Sequence, residues 1–157
     1  MKLNSILLLI VASLLSCSKD CNHDAEDRLE QWLENEPVDY AYTVSKSAFI
    51  SPAYTGPYRF EVRDNQTDTI YFDIENTNFE PENLFEGWDD FEQVKEFSTG
   101  FEIANLFESI INTSSGNRCE VEYDEEHFYP SVFRIKSDPE ISDSGITIRV
   151  SNFQILE

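Results

Sequence analysis

The sequence predicts an α+β domain: a single antiparallel sheet of about five or six strands with two helices packed on one face. Segments with the alternation of strands come in two groups of three, and each group follows an amphipathic helical segment. Connections of hairpin length within these groups favour antiparallel pairing. Hydrophobic residues make up 40% and aromatic residues 13% of the 157-residue chain, so one sheet face can be covered by helices around a core.

An apolar repeat on one face predicts the first helix, and it consists of Ala25, Leu29, Trp32 and Leu33. Asn22 or Asp24 precedes the repeat as N-cap, because a short polar side chain can accept a hydrogen bond from a free amide of the first turn. Pro37 ends the helix, since proline cannot continue the helical hydrogen-bond pattern.

Three strands are predicted to follow this helix. In residues 40–45 large side chains alternate with small ones, which is the period of a half-buried strand. Residues 58–62 and 70–74 give the second and third strands. Between them, residues 64–67 (Asp-Asn-Gln-Thr) form a turn sequence, because Asn tolerates positive φ and both Asp and Asn bond to nearby backbone. The second and third strands are therefore predicted to form a hairpin.

The second half of the chain repeats the order of helix and strands. Residues 75–97 are interpreted as a long connection that packs its aromatic side chains inward. Residues 99–102 (Thr-Gly-Phe-Glu) fit a capping box at the start of the second helix. A wide apolar stripe predicts that this helix is buried, and it consists of Ile103, Leu106, Phe107, Ile110 and Ile111. Three more strands are predicted at residues 119–123, 132–136 and 146–150.

The first 16 residues are interpreted as a signal peptide. Lys2 supplies a positive start, and residues 6–15 form an apolar run of about ten residues, too short for a membrane-spanning helix of about 20. The run ends in Leu14-Leu15-Ser16-Cys17, which resembles the lipobox of bacterial lipoproteins. The resemblance implies cleavage before Cys17 and attachment of fatty acyl chains such as palmitate to it. The expected organisation is a signal peptide (1–16), a lipidated tether (17–23) and one domain (24–157).

If lipid is attached to Cys17, we expect the protein to lie in the cell envelope and to bind the membrane through that lipid. Ser18, rather than Asp, follows the lipidated cysteine, which agrees with sorting to the outer membrane. The periplasmic face and the cell surface both stay open as the side on which the domain lies. The alternative interpretation is an ordinary secretory signal peptide that ends in Cys by chance.

Two cysteines remain if lipid modifies Cys17. Cys21 and Cys119 would then lie outside the cytoplasm, where disulfides persist. A bridge between them would close a loop of roughly 100 residues, which the chain-entropy model values at about 4.7 kcal/mol. The sequence leaves open whether these two cysteines pair or stay reduced, because two cysteines do not make a disulfide framework.

Several aromatic and aliphatic motifs resemble DUF6174, a family of small bacterial envelope proteins of undefined function. The motifs are Trp32 and residues 40–42, 106–110, 121–124, 129–135 and 146–148. The resemblance covers residues 28–153 and implies a shared fold more than a shared chemistry. The family often has a Cys-x-Cys pair after its first strand, where this chain has Ser-Pro-Ala-Tyr at residues 51–54. Phe128 stands where the family usually has glycine.

Charge and residue types argue against several functions. With 11 basic and 31 acidic residues the net charge is −20, so nucleic acid is not an expected partner. The chain has two histidines, His23 in the tether and His127 in a polar turn, where we expect an exposed side chain. Carboxylate pairs such as Glu86 and Asp89 arise by chance among 31 acids, so we do not expect an enzyme.

Calcium is the ligand that the acids favour most, because it takes six to eight oxygen ligands. Asp138, Glu140 and Asp143 precede Gly145 in one loop, although without the spacing of an EF-hand. The alternative is a solvated acidic face that keeps a tethered protein soluble, and no cofactor is then needed. A second candidate patch, for sugar or protein, contains Phe85, Trp88 and Phe91, which also suit a core.

The sequence thus predicts a lipid-anchored, non-catalytic envelope protein that acts as an interaction or structural module. A calcium-dependent or carbohydrate-binding surface lipoprotein is the alternative, with an envelope protein or a glycan as partner. A hydrolase that uses paired carboxylates is a distant third.

Overall fold

The structure, a computed structural model, describes residues 24–47, 56–73, 98, 100–113, 118–136 and 145–157. These residues form two helices and one six-stranded sheet. The helices are α1 (Ala25–Asn35) and α2 (Ile103–Ile111). The strands are β1 (Tyr40–Ser47), β2 (Tyr58–Arg63), β3 (Gln66–Phe72), β4 (Arg118–Tyr123), β5 (Pro130–Lys136) and β6 (Gly145–Ile155). Both helices and all six strands were predicted, so the α+β class is confirmed.

The two halves of the chain join in the middle of the sheet. The strand order is β3-β2-β1-β6-β5-β4, and every pair of neighbours is antiparallel. Strands β1 and β6 are therefore central, with Val44 opposite Val150, and β3 and β4 form the two edges. The predicted hairpin is the β2–β3 pair.

Both helices pack on one face of the sheet. Trp32 from α1 and Phe107 from α2 are almost fully buried with Tyr42 and Phe60 from the sheet in one apolar cluster. Ala25, Ile110 and Phe133 form a second, smaller cluster at the start of α1. Within the described part of the chain, no helix has the length and apolar character needed to cross a membrane.

Strand β1 is buried on both faces, so the prediction of a half-buried strand was wrong there. Ala41 and Thr43 point away from the helices, yet they are 0% and 3% exposed. The cause is Arg59, which pairs with Thr43 from β2 and crosses β1 to reach β6. Its Nη1 donates to the carbonyl oxygen of Asn152 at 2.7 Å, and its Nη2 donates to Oε1 of Gln154 at 3.0 Å. The stem of Arg59 thereby covers small side chains.

The turn between β2 and β3 has the geometry that its sequence predicts. Asp64 and Asn65 both have positive φ, 50° and 57°, as a two-residue hairpin turn of type I′ requires. Asp39 supports the turn: its Oδ1 accepts from the Asp64 amide at 3.0 Å and its Oδ2 from Arg63 Nη1 at 3.2 Å. The hydrogen bond from the Asp64 amide is the largest cause that lowers the pKa of Asp39; desolvation opposes it, and the Arg63 guanidinium adds to the lowering. Strand β3 begins directly after the turn, earlier than predicted.

Thr99, the predicted N-cap of the capping box, lies outside the described residues, and Glu102 does not take the position that the box assigns to it. Helix α2 begins at Ile103, and Glu102 is itself the N-cap, without a capping hydrogen bond from its side chain. The Glu102 carboxylate instead accepts hydrogen bonds from the Thr67 hydroxyl at 2.9 Å and from Nδ2 of Asn105 at 3.1 Å. Gly100, with φ of +93°, reverses the chain just before the helix. A long-range contact with β3 therefore takes the carboxylate that the capping box required.

Candidate functional site

Most of the predicted site residues lie outside the described residues. They include Cys17 and Cys21, the histidine His23, the calcium-loop acids Asp138, Glu140 and Asp143, the carboxylates Glu86 and Asp89, and the aromatic residues Phe85, Trp88 and Phe91. The described residues that bear on function are Cys119, the acids around β4, His127, an aromatic cluster and a group of exposed apolar side chains.

Cys119 lies on edge strand β4 and takes part in a disulfide. It is half-buried and packs against the small cluster of Ala25, Ile110 and Phe133. Ala25 is the first residue of α1 and is fully buried. The beginning of α1 and the beginning of β4 are therefore neighbours in the fold.

The carboxylates of β4 are paired with an arginine on the neighbouring strand. Glu120 lies opposite Arg134 in the sheet register, and Glu122 follows two residues later on the same face. Arg134 Nη1 lies 2.6 Å from Oε1 of Glu122 and 3.6 Å from Oε2 of Glu120. Cross-strand pairs of opposite charge stabilise a sheet modestly. Glu120 and Glu122 therefore stabilise the pairing of β4 with β5 rather than form a free ligand site.

Asp124 organises the turn between β4 and β5. Its Oδ1 accepts hydrogen bonds from the amides of Glu126 at 3.1 Å and His127 at 2.8 Å, as in an Asx turn. The Asp124 amide donates to the Tyr129 carbonyl at 2.9 Å. Phe128 within this turn has φ of 66°, a left-handed conformation in which glycine has no steric penalty. The backbone at this position would therefore accept glycine without strain, although here the residue is Phe128.

His127 lies in the predicted turn, but the expectation of an exposed side chain was wrong. Its ring is half-buried and lies 4.7 Å from the ring of Phe153, centroid to centroid. Its Nδ1 is 3.3 Å from Oδ1 of Asp124. The turn folds back onto β6, so sequence-local reasoning could not place this ring. Across the described ranges, no three His, Cys, Asp or Glu side chains come together in a way that could hold a metal ion.

An aromatic cluster fills the space between α1 and the sheet. Trp32 meets Tyr40, Tyr129 and Phe153 edge-on, with centroid distances of 5.5, 6.1 and 6.1 Å. The Tyr40 hydroxyl donates to Oε1 of Glu36 at 2.7 Å, and burial is the main cause that raises the pKa of Tyr40. Trp32 and Tyr40 are 1% and 4% exposed. The cluster is a core, not a platform for stacking a ligand.

A cation–aromatic contact joins α1 to β4 and to the turn after it. The Arg28 guanidinium carbon lies 5.4 Å from the Tyr123 ring centroid and 5.9 Å from that of Phe128. Tyr123 also stacks on Phe107 at 6.1 Å. The Tyr123 hydroxyl is buried without a hydrogen-bond partner in the described structure, and burial raises the pKa of Tyr123 to about 12. Arg28 therefore fixes the helix against β4.

Three exposed apolar side chains lie near one end of the sheet. Leu33, Val38 and Ile155 are 59%, 56% and 61% exposed. Ile155 pairs with Tyr40 at the start of β1, Leu33 lies in the last turn of α1, and Val38 lies in the connection from α1 to β1. We call this end, which also carries the β2–β3 turn, the Ile155 end. The opposite end, where β4 begins and β1 finishes, is called the Cys119 end.

A family model described as a family of unknown function (DUF6174) matches residues 24–155. The match spans both helices and all six strands. No curated protein and no solved structure matches the chain significantly.

Proposed function

The chain belongs to the DUF6174 family, and from that premise we propose that it is a lipid-anchored, non-catalytic protein of the bacterial cell envelope. In this proposal the domain acts as an interaction or structural module held at the outer membrane. The observation that carries the proposal is the lipobox-like sequence Leu14-Leu15-Ser16-Cys17 at the end of an apolar leader. The family match begins at residue 24, so leader and tether both precede the conserved domain.

The lipid would hold the protein without any spanning segment. Each buried acyl CH₂ contributes about 0.8 kcal/mol to membrane binding, and stable anchoring takes two chains or one chain with a second signal. Diacylation of Cys17 supplies two chains on one residue. The short polar segment after Cys17 then joins the anchor to α1.

The described side chains support a module that binds rather than reacts. Glu120 and Glu122 are paired with Arg134, Asp124 forms a turn, and Asp39 is paired with Arg63. Polar groups with these structural partners are poorly placed for general acid–base work. In this proposal a partner protein contacts the exposed apolar side chains of the Ile155 end, Leu33, Val38 and Ile155.

Substitution of Cys17 tests the anchor directly. In cells given a fatty-acid analogue, we expect the wild-type protein to become labelled and to partition into detergent. Cys17→Ala should lose both properties, because the sulfur is the attachment point. Cys21→Ala is the matched control and should keep both. Labelling and detergent partitioning that persist in Cys17→Ala would contradict the proposal.

A further inference from the structure

We infer that Cys119 is bonded to Cys21, so that the tether leaves the domain beside β4 and the lipid holds the Cys119 end towards the membrane. The inference rests on the proposed lipid anchor for its second half. Its first half, the pairing of the cysteines, can be tested without the anchor.

The number of cysteines restricts the partner of Cys119. The chain has three cysteines, and Cys119 takes part in a disulfide. Within one chain, its partner is therefore Cys17 or Cys21. If lipid occupies the sulfur of Cys17, Cys21 is the thiol that remains.

The packing at the start of α1 brings the right part of the chain to Cys119. Ala25 is fully buried and belongs to the cluster against which Cys119 packs. Cys21 precedes Ala25 by four residues, and four extended residues span at most about 14 Å. A segment of this length is long enough for Cys21 to reach β4 from the start of α1.

The bond forms by thiol–disulfide exchange with a protein disulfide oxidant of the envelope. The Cys21 and Cys119 thiols release two protons and two electrons and become one disulfide. The oxidant's disulfide accepts the electrons and protons and becomes a dithiol. Such oxidants operate in the bacterial periplasm, the compartment that the proposed anchor requires.

The bridge determines which end of the domain faces the membrane. Cys17 and Cys21 are four residues apart, so the lipidated residue lies within about 14 Å of the bridged one. Cys119 is the second residue of β4, at the end of the sheet where β1 finishes. The Ile155 end, with its exposed side chains Leu33, Val38 and Ile155, then points away from the membrane.

Peptide mapping under non-reducing conditions tests the pairing. Trypsin cleaves after Lys19, Arg28, Arg118 and Arg134, so the bridge would link peptide 20–28 to peptide 119–134. We expect this linked pair, which separates into its two parts on reduction. A link from peptide 119–134 to the Cys17 peptide would overturn both the inference and the anchor. Free thiols at Cys21 and Cys119 would overturn the proposed pairing. They would not contradict the lipid anchor, because the lipid on Cys17 is detected separately, on the peptide that contains Cys17.

Energy transfer in vesicles tests the orientation. A fluorophore on a non-natural side chain, which avoids new thiols, is placed at Ser47 on the Cys119 end or at Asp64 on the Ile155 end. Both positions are exposed, and β1 separates the two ends by roughly 25 Å. With the lipidated protein in vesicles that carry an acceptor on the headgroups, we expect stronger transfer from Ser47. Equal transfer, or stronger transfer from Asp64, would overturn the orientation.

Discussion

Arg59 shows how one residue can change the environment of a whole strand. Its side chain crosses β1 and bonds to Asn152 and Gln154, which closes the face of β1 that the sequence pattern leaves open. No local pattern predicts this, because the partners are more than ninety residues apart in sequence. The alternation in residues 40–45 is real, but it reports side-chain size rather than exposure.

Replacement of Arg59 should therefore destabilise the sheet. We expect Arg59→Met to lower the free energy of unfolding by about 1–2 kcal/mol, because two hydrogen bonds from a charged donor are lost while the apolar stem is kept. Arg149→Met, an exposed arginine on the same sheet face, is the matched control with a smaller expected effect. Urea unfolding of both variants measures the difference, and equal losses would contradict the role of Arg59.

Asp39 should give the domain part of its stability at neutral pH. The Asp64 amide and Arg63 lower its pKa from the ordinary value of 3.8, so the folded state favours the charged carboxylate. This contribution is present above pH 3.8 and is lost as pH falls through the lower folded-state value. We expect Asp39→Asn to be less stable than wild type at pH 7, with the difference shrinking below pH 4. Thermal unfolding across that range checks it, and a difference that does not change with pH would contradict it.

For the helices and strands, short-range sequence signals predicted which elements exist. Long-range contacts determined where several of them begin or end. The apolar stripes located both helices, and the residue pair Asp64 and Asn65 located the hairpin turn. Glu102, predicted to complete a capping box, is instead the N-cap of α2 and accepts a hydrogen bond from Thr67 of β3. Strand β6 was predicted to end at residue 150, but it continues to Ile155 past Asn152, which has positive φ.

The β2–β3 turn offers a test at this scale. Asn65 has φ of 57°, which costs an ordinary L-residue about 1–2 kcal/mol and costs glycine little. We expect Asn65→Ala to lower the free energy of unfolding by about 1 kcal/mol and Asn65→Gly to change it less. Chemical unfolding of the pair measures the difference. An alanine variant as stable as the glycine variant would contradict the assigned turn geometry.

The candidate site could be predicted only in part. Sequence located the turn histidine, but it could not show that Arg134 pairs with Glu120 and Glu122 or that His127 packs on Phe153. Both contacts depend on strand register and on a turn that folds back on a distant strand. Cys119 could be singled out from sequence because cysteine chemistry is recognisable without a fold, and its pairing with Cys21 stays a prediction.

At the scale of the whole molecule, calcium distinguishes the proposed role from the alternative of a calcium-dependent surface lipoprotein. An interaction module without a metal site should show the same Tm in millimolar Ca²⁺ and in millimolar Mg²⁺. Asp138, Glu140 and Asp143 are the acids that a calcium site would use. The calcium-dependent alternative would be favoured if the Tm rises by several degrees with Ca²⁺ but not with Mg²⁺, and if Asp138→Asn abolishes that rise.

The proposed lipid anchor holds the whole molecule in the cell through one modified cysteine, Cys17. Intact mass spectrometry of the protein isolated from membranes tests it most directly. We predict a chain that begins at Cys17 and carries the additional mass of a diacylglycerol and a further acyl group. A chain that begins at Met1, has no added mass and is recovered from the cytosol would contradict the account.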